Sequence, residues 1–222
     1  AVNTEVFAPI PRPKARALLG LSGEEKVVVY VGRMLPRKGI DTVIRAAALL
    51  KERTTLPLRL LLVGGETADA DPVATPEIGR LTELARALGI LDRVTFAGKR
   101  PQRLLKYYYS ASDVSVTTPW YEPYGLTPLE AMSCGRPVIG SAGGTGFLVP
   151  PNDPAALADR LEALLGDPGR QAAMGAAARR RVEDLFTWRR VAENTVAVYE
   201  ELLAPAKATA AGGPPVWRGR RG

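Results

Sequence analysis

The sequence contains no histidine and a single cysteine, Cys134. Without histidine the chain supplies neither an imidazole general base nor a histidine-ligated zinc site, so any catalytic imidazole has to come from another polypeptide or from a missing part. One cysteine excludes an internal disulfide. Cys134 stands where a helix should end, ahead of Gly135 and Pro137, and reads as a small buried residue, not a nucleophile. No apolar run approaches the roughly 18 residues that a membrane span needs. Ala1-Val2-Asn3-Thr4 shows no charged-then-apolar export signal, so a soluble, cytoplasmic protein is expected. Two nucleotide fingerprints are also missing: no G-x-G-x-x-G follows the first apolar strand, and no G-x-x-x-x-G-K-[ST] loop occurs. Dinucleotide dehydrogenases and P-loop enzymes are thereby set aside.

The net charge is +7, from 30 Lys and Arg against 23 Asp and Glu, which raises nucleic acid as a partner. The distribution argues against it. Arg179 to Arg181 and Arg189-Arg190 fall in helical patterns, where a solvated face is the ordinary outcome. Tyr107, Tyr108 and Tyr109 occupy successive helical positions and point in different directions, so they build no stacking platform. A basic surface suits phosphorylated small molecules and anionic lipid equally.

Apolar runs alternate with amphipathic stretches. Strands are expected at 26–31, 58–63, 93–96, 113–117, 137–140 and 147–149, and helices at 41–53, 77–88, 102–110, 128–133 and 154–165. Two more helices, near 170–185 and 187–203, follow, with Thr187 capping the second. This alternation specifies an α/β fold, a doubly wound, Rossmann-like parallel sheet, and 222 residues with 46% hydrophobic content suffice for one such core. Residues 204–222, rich in alanine, glycine and proline and ending Arg218-Gly219-Arg220-Arg221-Gly222, are expected to be a disordered tail. Ligands of such sheets bind beyond the carboxyl ends of the strands, where the turn at Gly32 and the loop at Glu122 both fall.

The most informative stretch runs from Trp120 to Met132, Trp-Tyr-Glu-Pro-Tyr-Gly-Leu-Thr-Pro-Leu-Glu-Ala-Met, and sets Glu122 and Glu130 eight positions apart across a loop that becomes a helix. Thr127, Pro128 and Glu130 read as N-cap, first helical position and third helical residue. Amides around Tyr124 to Leu126 would then face outward at a helix N-terminus, suited to phosphate or sugar oxygens. Glu130 has two readings, a ligand contact or the closing member of a capping box on Thr127. Glu122 has no capping role.

This segment resembles the E-x7-E signature of retaining glycosyltransferases of the GT-B fold, family-four type. The resemblance continues in Val31-Gly32-Arg33-Met34-Leu35-Pro36-Arg37-Lys38-Gly39-Ile40-Asp41, similar to the first strand-to-helix turn of that family's donor lobe. It continues in Thr95-Phe96-Ala97-Gly98, similar to its base-recognition turn, and in Gly146-Phe147-Leu148-Val149-Pro150-Pro151, similar to the strand after its donor loop. The resemblance spans residues 2–203 and implies the C-terminal, donor-binding lobe of a hexosyltransferase. It further implies that residues 1–8 are the remnant of the inter-lobe linker, that 9–203 form the nucleotide-sugar domain, and that an N-terminal acceptor lobe is a missing partner. The segment carrying Trp188 would cross back onto that lobe, and membrane association would come only through the acceptor.

Residue by residue, the resemblance assigns Arg33 and Lys38 to the donor diphosphate, together with Gly125, Leu126 and Thr127. It assigns Glu130 to the ribose hydroxyls, Glu122, Pro123 and Tyr124 to the transferred hexose with Glu122 as the catalytic contact, and main-chain groups at Lys99 and Arg100 to the base. The donor is a nucleoside diphosphate sugar such as a UDP- or GDP-sugar, and no metal or other cofactor is implied. On residue type alone Arg37 and Lys38 also read as a solvated loop pair. Asp69-Ala70-Asp71 matches the Asp-x-Asp metal motif of the other major transferase fold, but acidic pairs are common in polar loops.

The sequence departs from the family after Ala142, where Gly143-Gly144-Thr145 runs directly into Gly146-Phe147 and about a dozen residues are absent, long for a casual deletion beside a functional loop. Either the sequence skips a loop or one wall of the donor site has been lost. The second case leaves a nucleotide-binding regulatory module as a rival reading. A phosphorylase of similar architecture is another rival, but no lysine stands in a context that connects to a pyridoxal cofactor.

Overall fold

The structure is a computed structural model that describes residues 1–121, 125–141 and 146–203. The expectations placed on Glu122, Pro123 and Tyr124, on the junction at 142–145 and on the tail at 204–222 lie outside the described residues.

Six strands, β1 (Lys26–Val31), β2 (Leu58–Val63), β3 (Val94–Gly98), β4 (Val114–Thr117), β5 (Val138–Gly140) and β6 (Phe147–Leu148), form one sheet in the order β3-β2-β1-β4-β5-β6. Every neighbouring pair is parallel, with Val28 opposite both Leu60 and Val114. The chain therefore starts in the middle, winds to one edge, and returns to fill the other, as expected for a doubly wound sheet.

Eight helices occur among the described residues: α1 (Arg12–Leu18), α2 (Ile40–Arg53), α3 (Pro76–Ala87), α4 (Gln102–Ala111), α5 (Leu126–Ser133), α6 (Pro154–Leu165), α7 (Pro168–Leu185) and α8 (Trp188–Leu203). Because strand side chains alternate, Val28 and Tyr30 enter a core with Ile40 and Ile44 of α2, Leu81 of α3 and Leu161 of α6. Val27, Val29 and Val31 enter a second core, on the opposite face, with Tyr109 of α4, Met132 of α5 and Val182 of α7. Burial on both faces is why these strands read as unbroken apolar runs. Each fully buried valine or leucine contributes about 1.5–3 kcal/mol to holding the layers together.

Helix starts follow local chemistry where a cap precedes proline. Asp153 accepts from the Ala156 amide at 2.9 Å and Asp167 from the Arg170 amide at 2.8 Å, ahead of Pro154 and Pro168. Thr187 caps α8 as expected, its hydroxyl accepting from the Arg190 amide at 3.2 Å. Helix α8 buries none of its residues, and no helix among the described residues is long and apolar enough to cross a membrane.

Helix α1 was not anticipated, because Pro11 and Pro13 bracket its start. Both prolines precede any position that needs an amide donor, so the helix forms. What holds it is tertiary. Asp113, buried between β1 and the end of α4, accepts from Arg12 Nη1 at 2.7 Å, from Arg16 Nη2 at 2.8 Å and from the Val27 amide at 2.7 Å. One carboxylate thus joins α1 to the sheet and satisfies a β1 donor at the same time.

Candidate functional site

In the sheet order, β1 lies between β2 and β4, so the chain leaves its carboxyl end toward one edge and later returns beside it from the other. The crevice beyond such a switch point is the usual ligand site of this fold. A cavity of about 410 Å³ opens there. Gly32 and Arg33 line it from the end of β1, Gly64 and Gly65 from β2, and Lys99 and Arg100 from β3; Gln102 and Leu105 of α4 and Leu126, Thr127 and Glu130 of α5 complete it. Six expected site residues, Arg33, Lys99, Arg100, Leu126, Thr127 and Glu130, thus meet in one cavity although they are spread along most of the sheet-forming sequence.

The turn after β1 is held closely. The Gly32 amide donates to Val63 O at 3.0 Å, and the Tyr30 hydroxyl donates to Arg33 O at 3.1 Å, which leaves the exposed Arg33 side chain at the cavity rim on a fixed backbone. A 3-10 turn, Pro36–Lys38, follows and ends at Gly39, whose φ of 65° places it in the left-handed region. A Cβ there would collide with the carbonyl oxygen of Thr118. The Thr118 hydroxyl donates to Gly39 O at 2.8 Å and the Trp120 amide donates to Arg37 O at 3.0 Å, so the loop leading to Glu122 is sewn to the loop of Arg33 and Lys38. Lys38 is half-buried in its turn and does not line the cavity.

Helix α5 corrects the expected cap. It begins at Leu126, with Gly125 as N-cap at φ 77°, and no side chain caps it. The left-handed glycine lets the helix start two residues before the expected first position, Pro128, so Thr127 and Pro128 are its second and third residues. The amides of Leu126 and Thr127 are first-turn donors without intrahelical partners, and Pro128 has none to offer. Glu130 then lies too far along to close a capping box, and the box does not form.

Glu130, only 7% exposed, instead accepts a hydrogen bond from the Tyr109 hydroxyl at 2.9 Å. Burial pushes the Glu130 carboxyl above the usual carboxylate range, opposed by hydrogen bonds from Tyr109 and Gln102. Burial also holds the Tyr109 hydroxyl well above its ordinary value, with Glu130 adding to the effect, so it is a donor at every physiological pH. Sequence reasoning missed both partners. The available signal was spacing: Gln102, Leu105 and Tyr109 fall at i, i+3 and i+7, one stripe of α4 that faces α5.

At the end of β3 the expected base contacts are partly engaged by the protein itself. The Lys99 amide donates to Thr67 O at 2.7 Å; Arg100 donates from Nε to the Tyr108 hydroxyl at 2.7 Å and from Nη1 to Ala68 O at 2.8 Å. These bonds tie the loop after β2 to β3 and α4. In that loop Asp71 Oδ1 accepts from the Val73 amide at 2.7 Å, so this member of the Asp-x-Asp pair shapes its own turn. Among the described residues no group of three or more cysteine, aspartate or glutamate side chains is placed to hold a metal ion. Cys134 is fully buried at the end of α5, and burial pushes its thiol up to about 12, as suits a packing residue.

The sheet order, with a cavity at its switch point, is that of the doubly wound domain found in GT-B transferases. The chain belongs to the family described as glycosyl transferases group 1, whose profile matches residues 11–181. It is 38% identical over 215 residues to the D-inositol 3-phosphate glycosyltransferase of Thermobispora bispora, a match covering 91% of this chain and 49% of that protein. Among solved structures, it superimposes on the sucrose-phosphate synthase of Thermosynechococcus elongatus with a TM-score of 0.79 and 39% identity, over 91% of this chain and 51% of the other. It superimposes on Anabaena HepE, solved in complex with UDP and glucose, with a TM-score of 0.75 and 26% identity, over 92% and 55% of the two chains. The chain spans about half the length of the curated relatives it matches.

Proposed function

We propose that this chain is the donor-binding lobe of a hexosyltransferase that uses a nucleoside diphosphate sugar, transfers with retention and needs no metal. The observation that carries the reading is the meeting of unlike groups in one cavity, which is lined by Arg33, by the first turn of α5 and by the buried Glu130 carboxylate. Cation and helix N-terminus suit a diphosphate, whose charge grows as the bond to the sugar's anomeric carbon breaks. A carboxylate suits vicinal hydroxyls, such as those of a ribose. Glu122, with Pro123 and Tyr124 beside it, is proposed to contact the transferred hexose, because in sequence these residues lie between Trp120, whose amide donates to Arg37 O, and Leu126, which lines the cavity. The UDP and glucose named for Anabaena HepE support this class of donor.

For the acceptor we propose a phosphorylated polyol or sugar. The names of the relatives, D-inositol 3-phosphate glycosyltransferase and sucrose-phosphate synthase, support that class, and a net charge of +7 favours an anionic substrate. Transfer itself requires the acceptor hydroxyl within about 3 Å of the anomeric carbon and water kept out, which is the work proposed for a further lobe.

The test is calorimetric titration of the chain with UDP, GDP and ADP, each without metal and then with magnesium, with Glu130→Ala as control. Base-selective, metal-independent binding that the substitution weakens supports the reading. Binding strictly dependent on magnesium sinks the metal-independent part, and no binding to any of the three sinks the donor-lobe assignment. Nucleotide binding by a full-length enzyme that never turns over would favour the regulatory module.

A further inference from the structure

Glu130 is held in an unusual way for a buried carboxylate. Its carboxylate accepts from uncharged donors, the Tyr109 hydroxyl at 2.9 Å and the Gln102 side chain. Both donors sit on α4, and Glu130 and Gln102 together line the 410 Å³ cavity. Tyr109 itself is completely buried. Its ring meets Phe7 edge-on, with centroids 6.2 Å apart and planes at 63°. Phe7 is in turn pinned, because its carbonyl accepts from the Ser133 hydroxyl at 2.6 Å and from Arg179 Nη1 at 2.9 Å. The tyrosine ring therefore has little freedom, and its hydroxyl points at one oxygen of one side chain.

A free glutamate explores several rotamers, and fixing it on binding costs affinity. A donor that holds the carboxylate beforehand removes that cost, provided it leaves acceptor positions turned toward the ligand. A carboxylate has about four such positions, so two protein donors leave room for two ligand hydroxyls. Uncharged donors also hold the group without neutralising it, so it keeps its strength as an acceptor.

We propose that Tyr109 is the positioning residue of the ribose contact: its hydroxyl locks the Glu130 carboxylate so that the remaining lone pairs receive a vicinal diol of the nucleotide. This inference rests on the nucleotide-binding reading above. Tyr109 touches no ligand in it and acts only through Glu130.

The experiment compares the unmodified chain with Tyr109→Phe, using UDP, GDP and ADP and the 2′,3′-dideoxy form of whichever binds most tightly. The substitution removes one oxygen and keeps the ring on Phe7. The expected result is about tenfold weaker binding of the ribonucleotide, a loss typical of one hydrogen bond to a charged group. The dideoxy analogue, which lacks the diol, should bind both proteins within about twofold of each other; that unchanged affinity also reports an intact fold. Equal weakening of both ligands would reduce Tyr109 to a packing residue and overturn the inference, as would a Tyr109→Phe chain that binds the ribonucleotide undiminished. In both cases the nucleotide reading stands. Failure of the unmodified chain to bind any of the three diphosphates would remove that reading, and this inference with it.

Discussion

The hydroxyl of Thr118 donates to the carbonyl oxygen of Gly39 at 2.8 Å and so joins, across 79 positions of sequence, the loop that follows β1 to the loop that follows β4. The contact is possible only because residue 39 has no side chain: its φ is 65° and a Cβ would run into the Thr118 carbonyl. Gly39→Ala should therefore destabilise the protein by at least about 1–2 kcal/mol, the cost of the left-handed conformation alone, with the collision added. Urea unfolding measures this. A loss below about 0.5 kcal/mol would mean that the two loops are not held together as described.

Glu130 links function to pH. Its carboxyl is raised by burial, so the folded state binds this proton more tightly than the unfolded chain does. Below the ordinary glutamate range both states are protonated and no penalty exists; as pH rises through the raised folded value, the folded state must hold a buried charge and stability falls. Glu130→Gln removes that charge while keeping an acceptor for Tyr109. Its thermal midpoint should exceed that of the unmodified chain at about pH 8, and the gap should close toward about pH 4. A gap that widens on acidification would show that the carboxylate is stabilised, not strained, by its surroundings.

Asp113 ties α1 to the sheet through Arg12 and Arg16, and the Arg16 and Asp113 side chains are almost completely buried. Asp113→Ala leaves the Arg16 guanidinium buried without its partner and the Val27 amide without an acceptor. The expected loss is about 3–5 kcal/mol in denaturant unfolding. Preserved stability would mean that α1 is held by packing alone.

Arg33 should matter for the diphosphate and not for the nucleoside. Arg33→Ala is expected to weaken nucleoside diphosphate binding by roughly 10- to 100-fold, the value of one or two charge-assisted hydrogen bonds, and to leave the nucleoside alone unaffected. Titration with both ligands separates the cases, and equal losses would place Arg33 in the scaffold.

The chain's alternation of apolar and amphipathic segments was enough to place every strand within a residue or two, most plainly at β1, which is buried on both faces and reads as an unbroken apolar run. The expected crevice was legible for the same reason: the turns at Gly32 and Gly98 and the loop at Trp120 all follow strands of one parallel sheet. Local reading failed where a distant residue decided the outcome. Helix α1 was hidden by its prolines because the carboxylate that anchors it lies about a hundred positions away, at Asp113. The cap at Thr127 was misread because a left-handed Gly125 is a backbone state that residue type permits without requiring. Glu130 had two readings until Tyr109, 21 positions earlier, took its carboxylate.

By itself, then, the amino-acid order determined the class of fold, the absence of imidazole chemistry and disulfides within the chain, and the segments that meet at the switch point. These follow from side-chain chemistry and from periodicity, both of which are local. The tertiary structure alone decided which of those residues share a cavity, that Lys38 stays in its turn, and that Glu130 is held by a buried tyrosine. Those outcomes depend on which donors and acceptors the packed layers bring within 3 Å of each other, a distance that no sequence spacing states.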